Sequence, residues 1–375
     1  MFDNLYSSII VNLFFFFIIK KINNNYFRLN NKFYFIVLLY HLGITTFYIL
    51  LFKNGAADYK TYLALTTFDG FFERGYVSSD LITMFVAFLK LILNFSDLNI
   101  KILFSLFSFI GTIFFYKNLI SIGLTKKLAQ LLIFIPSMHF WTCPVGKDSL
   151  IFLFLNWFFY LYINKKLYFA VLLIFFTFLI RPHVGFIFFS SFLITEFFFI
   201  KGHKKFIIFL LFLTCFYLIL TTGSVSYFFI SSDTLSNNLI INIFHRISTF
   251  MHVFGSSDTS YANSNFILNI FSYIFFPLEF ILKQNSFIVN SNLLLVLLES
   301  IFIFKLVSLY KNKYNIKIDK KIIYFLLIYC CFYLLTLPQF LFNFGLNTRQ
   351  KWMIIPFLIY LIFLLKYLLV KIKNR

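Results

Sequence analysis

The chain has 375 residues, of which 61% are hydrophobic and only 12% charged, with 62 phenylalanines and a formal net charge of +20. Soluble domains are about 45–50% apolar and about 25% charged, and no soluble core of this size hides so much apolar side chain. The composition therefore excludes a soluble globular protein and makes the bilayer the solvent. Nor does the positive charge read as a nucleic-acid surface. The lysines collect in short clusters between apolar runs, at Lys20-Lys21, Lys126-Lys127, Lys165-Lys166, Lys201 to Lys205, Lys311 to Lys321 and Lys371 to Arg375. That is the pattern of cytoplasmic loops, not of a basic face interleaved with polar side chains.

A spanning helix needs about 20 apolar residues. In chain order, apolar runs cover 5–19, 33–52, 80–95, 102–119, 128–142, 149–163, 168–180, 184–200, 206–222, 266–282, 288–310, 322–341 and 352–370. The runs are continuous and do not alternate every second residue, which favours helices over barrel strands. The expected fold is all-α: one polytopic transmembrane bundle over residues 1–375, with about 10–13 helices, outward-facing loops, juxtamembrane helices and no separate soluble domain. No small-residue cleavage site follows the first run, so it is expected to stay in the membrane. Cys143, Cys215, Cys330 and Cys331 have neither metal-ligand spacing nor a disulfide pattern and read as small core residues.

Lysine positions set an orientation. Residues 20–32 face the cytoplasm, so the loop 53–79 faces outward. Counting back from a cytoplasmic tail at 371–375 puts 343–351, the long stretch 223–265, Arg181 to His183 and 136–149 outside. It puts the lysines of 311–321, 201–205 and 165–166 inside. Three runs separate two outward loops, 53–79 and 136–149, which parity forbids. The conflict disappears if 80–95 is a juxtamembrane helix that does not span, with an N-cap in Ser78-Ser79-Asp80.

Ionisable residues at membrane depth are functional candidates. The chain has 27 lysines but only six arginines, and four of these, Arg74, Arg181, Arg246 and Arg349, map outward. A guanidinium grips phosphate with two parallel donors; the alternative is interfacial snorkelling. The segment 136–149 holds two prolines, a glycine, His139 and then Lys147 and Asp148 at the start of the next helix. Broken backbone at that depth fits a cavity lining, and a helix start favours an anion; an ordinary turn in an aromatic belt is the alternative. Arg181-Pro182-His183 joins two apolar runs with almost no loop. Asp58-Tyr59, with Asp69, Glu73 and Arg74, lies in the first outer loop, where a carboxylate can serve as a general base or simply be solvated. Residues 343–352, including Arg349 and Lys351, form another outer polar island, and 223–265 carries Arg246, His245, His252 and Asp258. No P-loop, HExxH or Cys/His cluster occurs, so neither a metal nor a cofactor is required.

The order of these islands carries a resemblance. An Asp-Tyr in the first outer loop is followed by Phe140-Trp141 with Gly146-Lys147-Asp148-Ser149, then Arg181-Pro182-His183, then Asn347 to Lys351 before a helix with Pro356. From about residue 55 to 370 this resembles bacterial O-antigen or surface-polysaccharide repeat-unit polymerases, whose architecture is similar to GT-C-type polytopic glycosyltransferases. The resemblance implies a multi-pass protein of the bacterial cytoplasmic membrane with a cytoplasmic C-terminus and an outward active site. It implies transfer of a growing glycan from undecaprenyl pyrophosphate to a lipid-linked repeat unit. The implied partners are the undecaprenyl-pyrophosphate-linked oligosaccharide, membrane lipid, and a chain-length regulator and ligase of the same pathway. Arg181, Arg349, Lys147, Arg246, His183, Lys351, His139 and Tyr59 would bind substrate, and Asp58 or Asp148 would be the base. GT-C transferases often carry two acids in that first loop, where this chain has Asp58 and then Tyr59. A single-sugar transferase using polyprenyl phosphate, and a flippase for lipid-linked oligosaccharide, are the competing readings.

Overall fold

A computed structural model describes residues 17, 20–52, 59–64, 78–202, 270, 273–274, 298–306, 308, 319–339 and 349–373. Among these, every regular element is helical. The runs 5–19, 206–222 and 266–282 fall wholly or largely outside the described residues, as do the loop 223–265 and most of 53–79. The chain divides into two compact units, residues 1–185 and 186–375.

The first unit begins with a short π-turn at Asn23–Phe27 and then α1, Asn31–Leu51. It continues with α2 (Tyr59–Leu63), α3 (Ser79–Leu91), α4 (Asp97–Ser121), α5 (Lys126–Ile133), α6 (Pro136–Thr142), α7 (Lys147–Ile163) and α8 (Leu167–Ile180). The next helix, α9 (Pro182–Phe199), starts in this unit and runs into the second. Helix starts follow from capping side chains. Asn30 Oδ1 accepts from the Lys32 amide at 2.9 Å and Ser96 Oγ from the Asn99 amide at 3.2 Å.

Three of the described helices, α1, α4 and α9, are long and apolar enough to cross a membrane. With 21 residues α1 rises about 31 Å, the thickness of the hydrocarbon layer. Its outer face presents Phe35, Ile36, Leu39, Phe47, Leu50 and Leu51, all exposed. Helix α8 buries Ala170, Leu173, Ile174, Thr177 and Ile180 along one stripe, yet its other stripe is Phe169, Leu172, Phe175 and Phe176, also exposed. Apolar side chains on both faces need an apolar solvent on one of them. This chain has the surface of a membrane protein.

Two sequence expectations change. The run 128–142 is not one helix. It breaks at Phe134 and Ile135, where Ile135 is extended (φ −66°, ψ 115°) ahead of Pro136 at the first helical position. Proline lacks the N–H a continuing helix needs and disfavours helical backbone in the residue before it. Ser78 occupies the N-cap position of α3 but its side chain caps nothing; its backbone has φ 64° and its hydroxyl is used elsewhere. The 13-residue α3 itself rises about 20 Å, too little to span. It starts beside α8, with Ser78 N donating to Leu179 O at 2.7 Å, and ends where Lys90 pairs with Asp97, the first residue of α4, at 2.7 Å.

Helix contacts give the unit two ends. Phe33 packs on Tyr116, and Phe114 stacks on Trp157 and meets Tyr160. One end therefore gathers the start of α1 with Lys32, the end of α4, Lys126-Lys127 and Lys165-Lys166. The opposite end gathers the start of α3, the start of α7 and the end of α8. Lysines occur there too, including Lys90 and Lys147.

In the second unit the described core joins the later part of α9 to α10 (Lys320–Thr336) and α11 (Ile355–Lys373). Phe188 of α9 packs edge-on against Phe325, Tyr329 and Phe357. Glu196 of α9 is buried and accepts from Lys321 at 2.7 and 2.8 Å.

Candidate active site

The end of the first unit distant from the lysine clusters is built by three helix termini. Helix α7 begins at Lys147 because Gly146 takes φ 149°, a conformation that suits a residue without Cβ. A Cβ there would also lie 3.2 Å from the Tyr62 ring. Helix α8 ends at Arg181, whose φ of −138° and ψ of 88° are the extended backbone expected before proline. Pro182 then starts α9 in its favoured first position. The reversal is so tight that a Cβ on Gly185 would fall 2.3 Å from Phe178 Cα. It carries Arg181 back against the first turn of α7.

There Arg181 Nη2 donates to Asp148 Oδ1 in an ion pair. The two side chains are 8% and 10% exposed, so water screens the pair little. The carboxylate also sits in the first turn of α7, where the helix dipole favours negative charge. Arg181 Nε is buried with no hydrogen-bond partner. Such orphaned donors are few in folded proteins and mark a place for a further acceptor. Next door, Lys147 Nζ donates to Ser78 Oγ at 2.8 Å. Among the described residues the cluster holds two cations and one carboxylate, a balance suited to an anion. His183, at the second residue of α9, is half-buried beside it.

The sequence carries Lys147 and Asp148 in one island and Arg181 and His183 in another, and the fold brings them to one end of one unit. His139 goes elsewhere. It is fully buried, its two ring nitrogens held by His41 and by Ile133 O. Asp58 and Arg246 lie outside the described residues, and Tyr59 is the first residue of α2. Ser78 reads in the sequence only as a cap. His41 carries a signal of its own, an ionisable side chain inside a 21-residue apolar helix.

Arg349 and Lys351 belong to the second unit. Lys351 opens a short 3-10 turn, Lys351–Met353, and is buried with Gln350 and Trp352. Burial pushes its ammonium down to about 8, against the opposing pull of Glu299. Gln350 Oε1 and Trp352 Nε1 are buried without partners, while Tyr333 and Tyr329 donate to the carbonyls of Gln350 and Met353 at 2.9 and 3.2 Å. Arg349 is half-buried beside this island.

Comparisons with protein-family models, with curated proteins and with solved structures gave no match.

Proposed function

We propose that the chain is a membrane-embedded glycosyltransferase of the surface-polysaccharide polymerase type, acting at the outer face of a bacterial cytoplasmic membrane. The observation that carries this reading is the buried Asp148–Arg181 pair beside Lys147, with an orphaned guanidinium N–H at one end of a helical unit. A donor glycan on undecaprenyl pyrophosphate needs two things from such a site. One is cationic support for the leaving pyrophosphate, and the other is a base for the acceptor hydroxyl.

In the proposed step the acceptor oxygen forms a bond to the anomeric carbon of the growing glycan. The bond from that carbon to the pyrophosphate oxygen breaks, and the electron pair leaves with undecaprenyl pyrophosphate. The hydroxyl proton passes to a carboxylate, with Asp148 the choice within the cluster. Arg181 holds that carboxylate in place and presents its free Nε edge to phosphate, and Lys147 adds a second cation. Arg349 and Lys351, in the second unit, keep the substrate-binding role that the resemblance implies for them. The alternatives are a single-sugar transferase using polyprenyl phosphate and a flippase for lipid-linked oligosaccharide.

Deletion of the gene, followed by gel analysis of the surface glycan, separates these. A polymerase leaves a lipid-linked single repeat unit in place of a ladder. A single-sugar transferase leaves a ladder with uniformly altered spacing, and a flippase leaves lipid-linked units trapped inside. An unchanged ladder overturns the polymerase reading.

A further inference from the structure

Two histidines meet inside the first unit, away from the cluster just described. His41 lies midway along α1 and His139 in α6, and neither is exposed to solvent. Their Nδ1 atoms are 2.6 Å apart. His41 Nε2 lies 2.8 Å from Ser105 O, and His139 Nε2 lies 2.6 Å from Ile133 O.

A carbonyl oxygen only accepts hydrogen bonds, so each Nε2 must carry a hydrogen. A neutral imidazole has a single N–H. With that hydrogen on Nε2 in both rings, two bare lone pairs would face each other across the Nδ1–Nδ1 contact. A third hydrogen, on either Nδ1, turns this repulsion into a charge-assisted N–H···N bond and leaves all four ring nitrogens satisfied. We infer that His41 and His139 form a buried proton-binding site, an imidazolium–imidazole pair that holds one proton between the two rings at neutral pH.

The surroundings suit a small delocalised cation. Phe109 lies 6.0 Å from the His41 ring and Tyr40 lies 5.1 Å from His139, centre to centre, within the range at which an aromatic ring attracts a cation. The titratable groups on the surrounding elements are Lys32, Tyr34, Tyr40 and Tyr48 of α1, Asp97, Lys101, Tyr116 and Lys117 of α4, Cys143 after α6, and Lys147, Asp148, Tyr160 and Tyr162 of α7. Lys126 and Lys127 of α5 lie at its far end. Of these groups, Tyr40 packs its ring edge-on with His139. Asp97 and Asp148 are engaged by Lys90 and Arg181, so among the described residues no carboxylate pairs with either imidazole. Its bond ties α1 to α6, the helix that leads through Gly146 to Lys147. The inference rests on hydrogen-bond chemistry and is independent of the catalytic reading.

The test uses the full chain in detergent micelles with 15N-labelled histidine. At pH 7 the pair should give three N–H signals, one of them coupled to nitrogen across the Nδ1–Nδ1 bond. Two N–H signals would overturn the inference. A second readout is unfolding against pH, compared with the His41→Asn, His139→Asn double variant. The folded pair holds one proton, whereas the unfolded pair holds two below about pH 6.5 and none above it. The folding constant of the wild type relative to the variant should therefore peak near pH 6.5 and fall, by about tenfold per pH unit, on both sides. A neutral pair gives no fall above pH 6.5, and that result would overturn the proposal. If the variant does not fold, the resonance measurement on the wild type decides alone.

Discussion

Removing either partner of the Asp148–Arg181 pair should cost far more than removing both. The side chains are 10% and 8% exposed, so the pair is close to the buried limit. Loss of one partner in that limit leaves an uncompensated charge and costs about 3–5 kcal/mol. Replacement of both partners by apolar residues of similar volume is often close to neutral. Arg181→Met and Asp148→Leu should each destabilise the chain by about 3 kcal/mol, and the double variant by about 1–2 kcal/mol. The coupling, about 4–5 kcal/mol, is too large for an exposed pair, which contributes about 0–1 kcal/mol. The assay is reversible unfolding of the purified chain in mixed micelles, run as a double-mutant cycle. Additive single effects, or single effects below about 1 kcal/mol, would refute the buried-pair account. Arg181→Lys refines the test: it keeps the charge but loses the planar fork, and should restore part of the stability while leaving glycan transfer impaired.

Other outcomes follow from particular contacts. Gly185→Ala would set a Cβ 2.3 Å from Phe178 Cα, a clash with backbone, and should cost about 2–3 kcal/mol in the same unfolding assay. The Glu196–Lys321 pair in the second unit predicts that Lys321→Met destabilises by roughly 2–4 kcal/mol and that adding Glu196→Gln restores most of it. Lys351 titrates at about 8 in the folded chain against 10.5 ordinarily. Between these values the unfolded chain holds a proton that the folded chain lacks, so stability should rise with pH. The slope is about 1.4 kcal/mol per pH unit, and it should vanish in Lys351→Met.

The apolar runs were enough to locate most of the described helices, because a bilayer-facing helix announces itself by length and composition. The run at 102–119 became Asp97–Ser121 and that at 168–180 became Leu167–Ile180. The break within 128–142 was also within reach, since Pro136 forbids a continuous helix. What the sequence concealed is pairing. Asp148 and Arg181 are 33 positions apart, and their meeting depends on α7 and α8 running antiparallel from one tight reversal to the other. His41 and His139 are 98 positions apart, and no local pattern links them. Ser78 looked like a cap because Ser before a helix usually caps. Its left-handed backbone instead turns the hydroxyl to Lys147.

Reconstitution tests the central claim most directly. The purified chain in nanodiscs would be given undecaprenyl-pyrophosphate-linked repeat units extracted from the native host lacking this gene. The account predicts glycans of two, three and more repeats with release of undecaprenyl pyrophosphate. It also predicts a rate loss of about 10²–10³-fold for Arg181→Lys and a comparable loss for Asp148→Asn. Recovery of the repeat units unchanged, or equal rates for wild type and both variants, would contradict it.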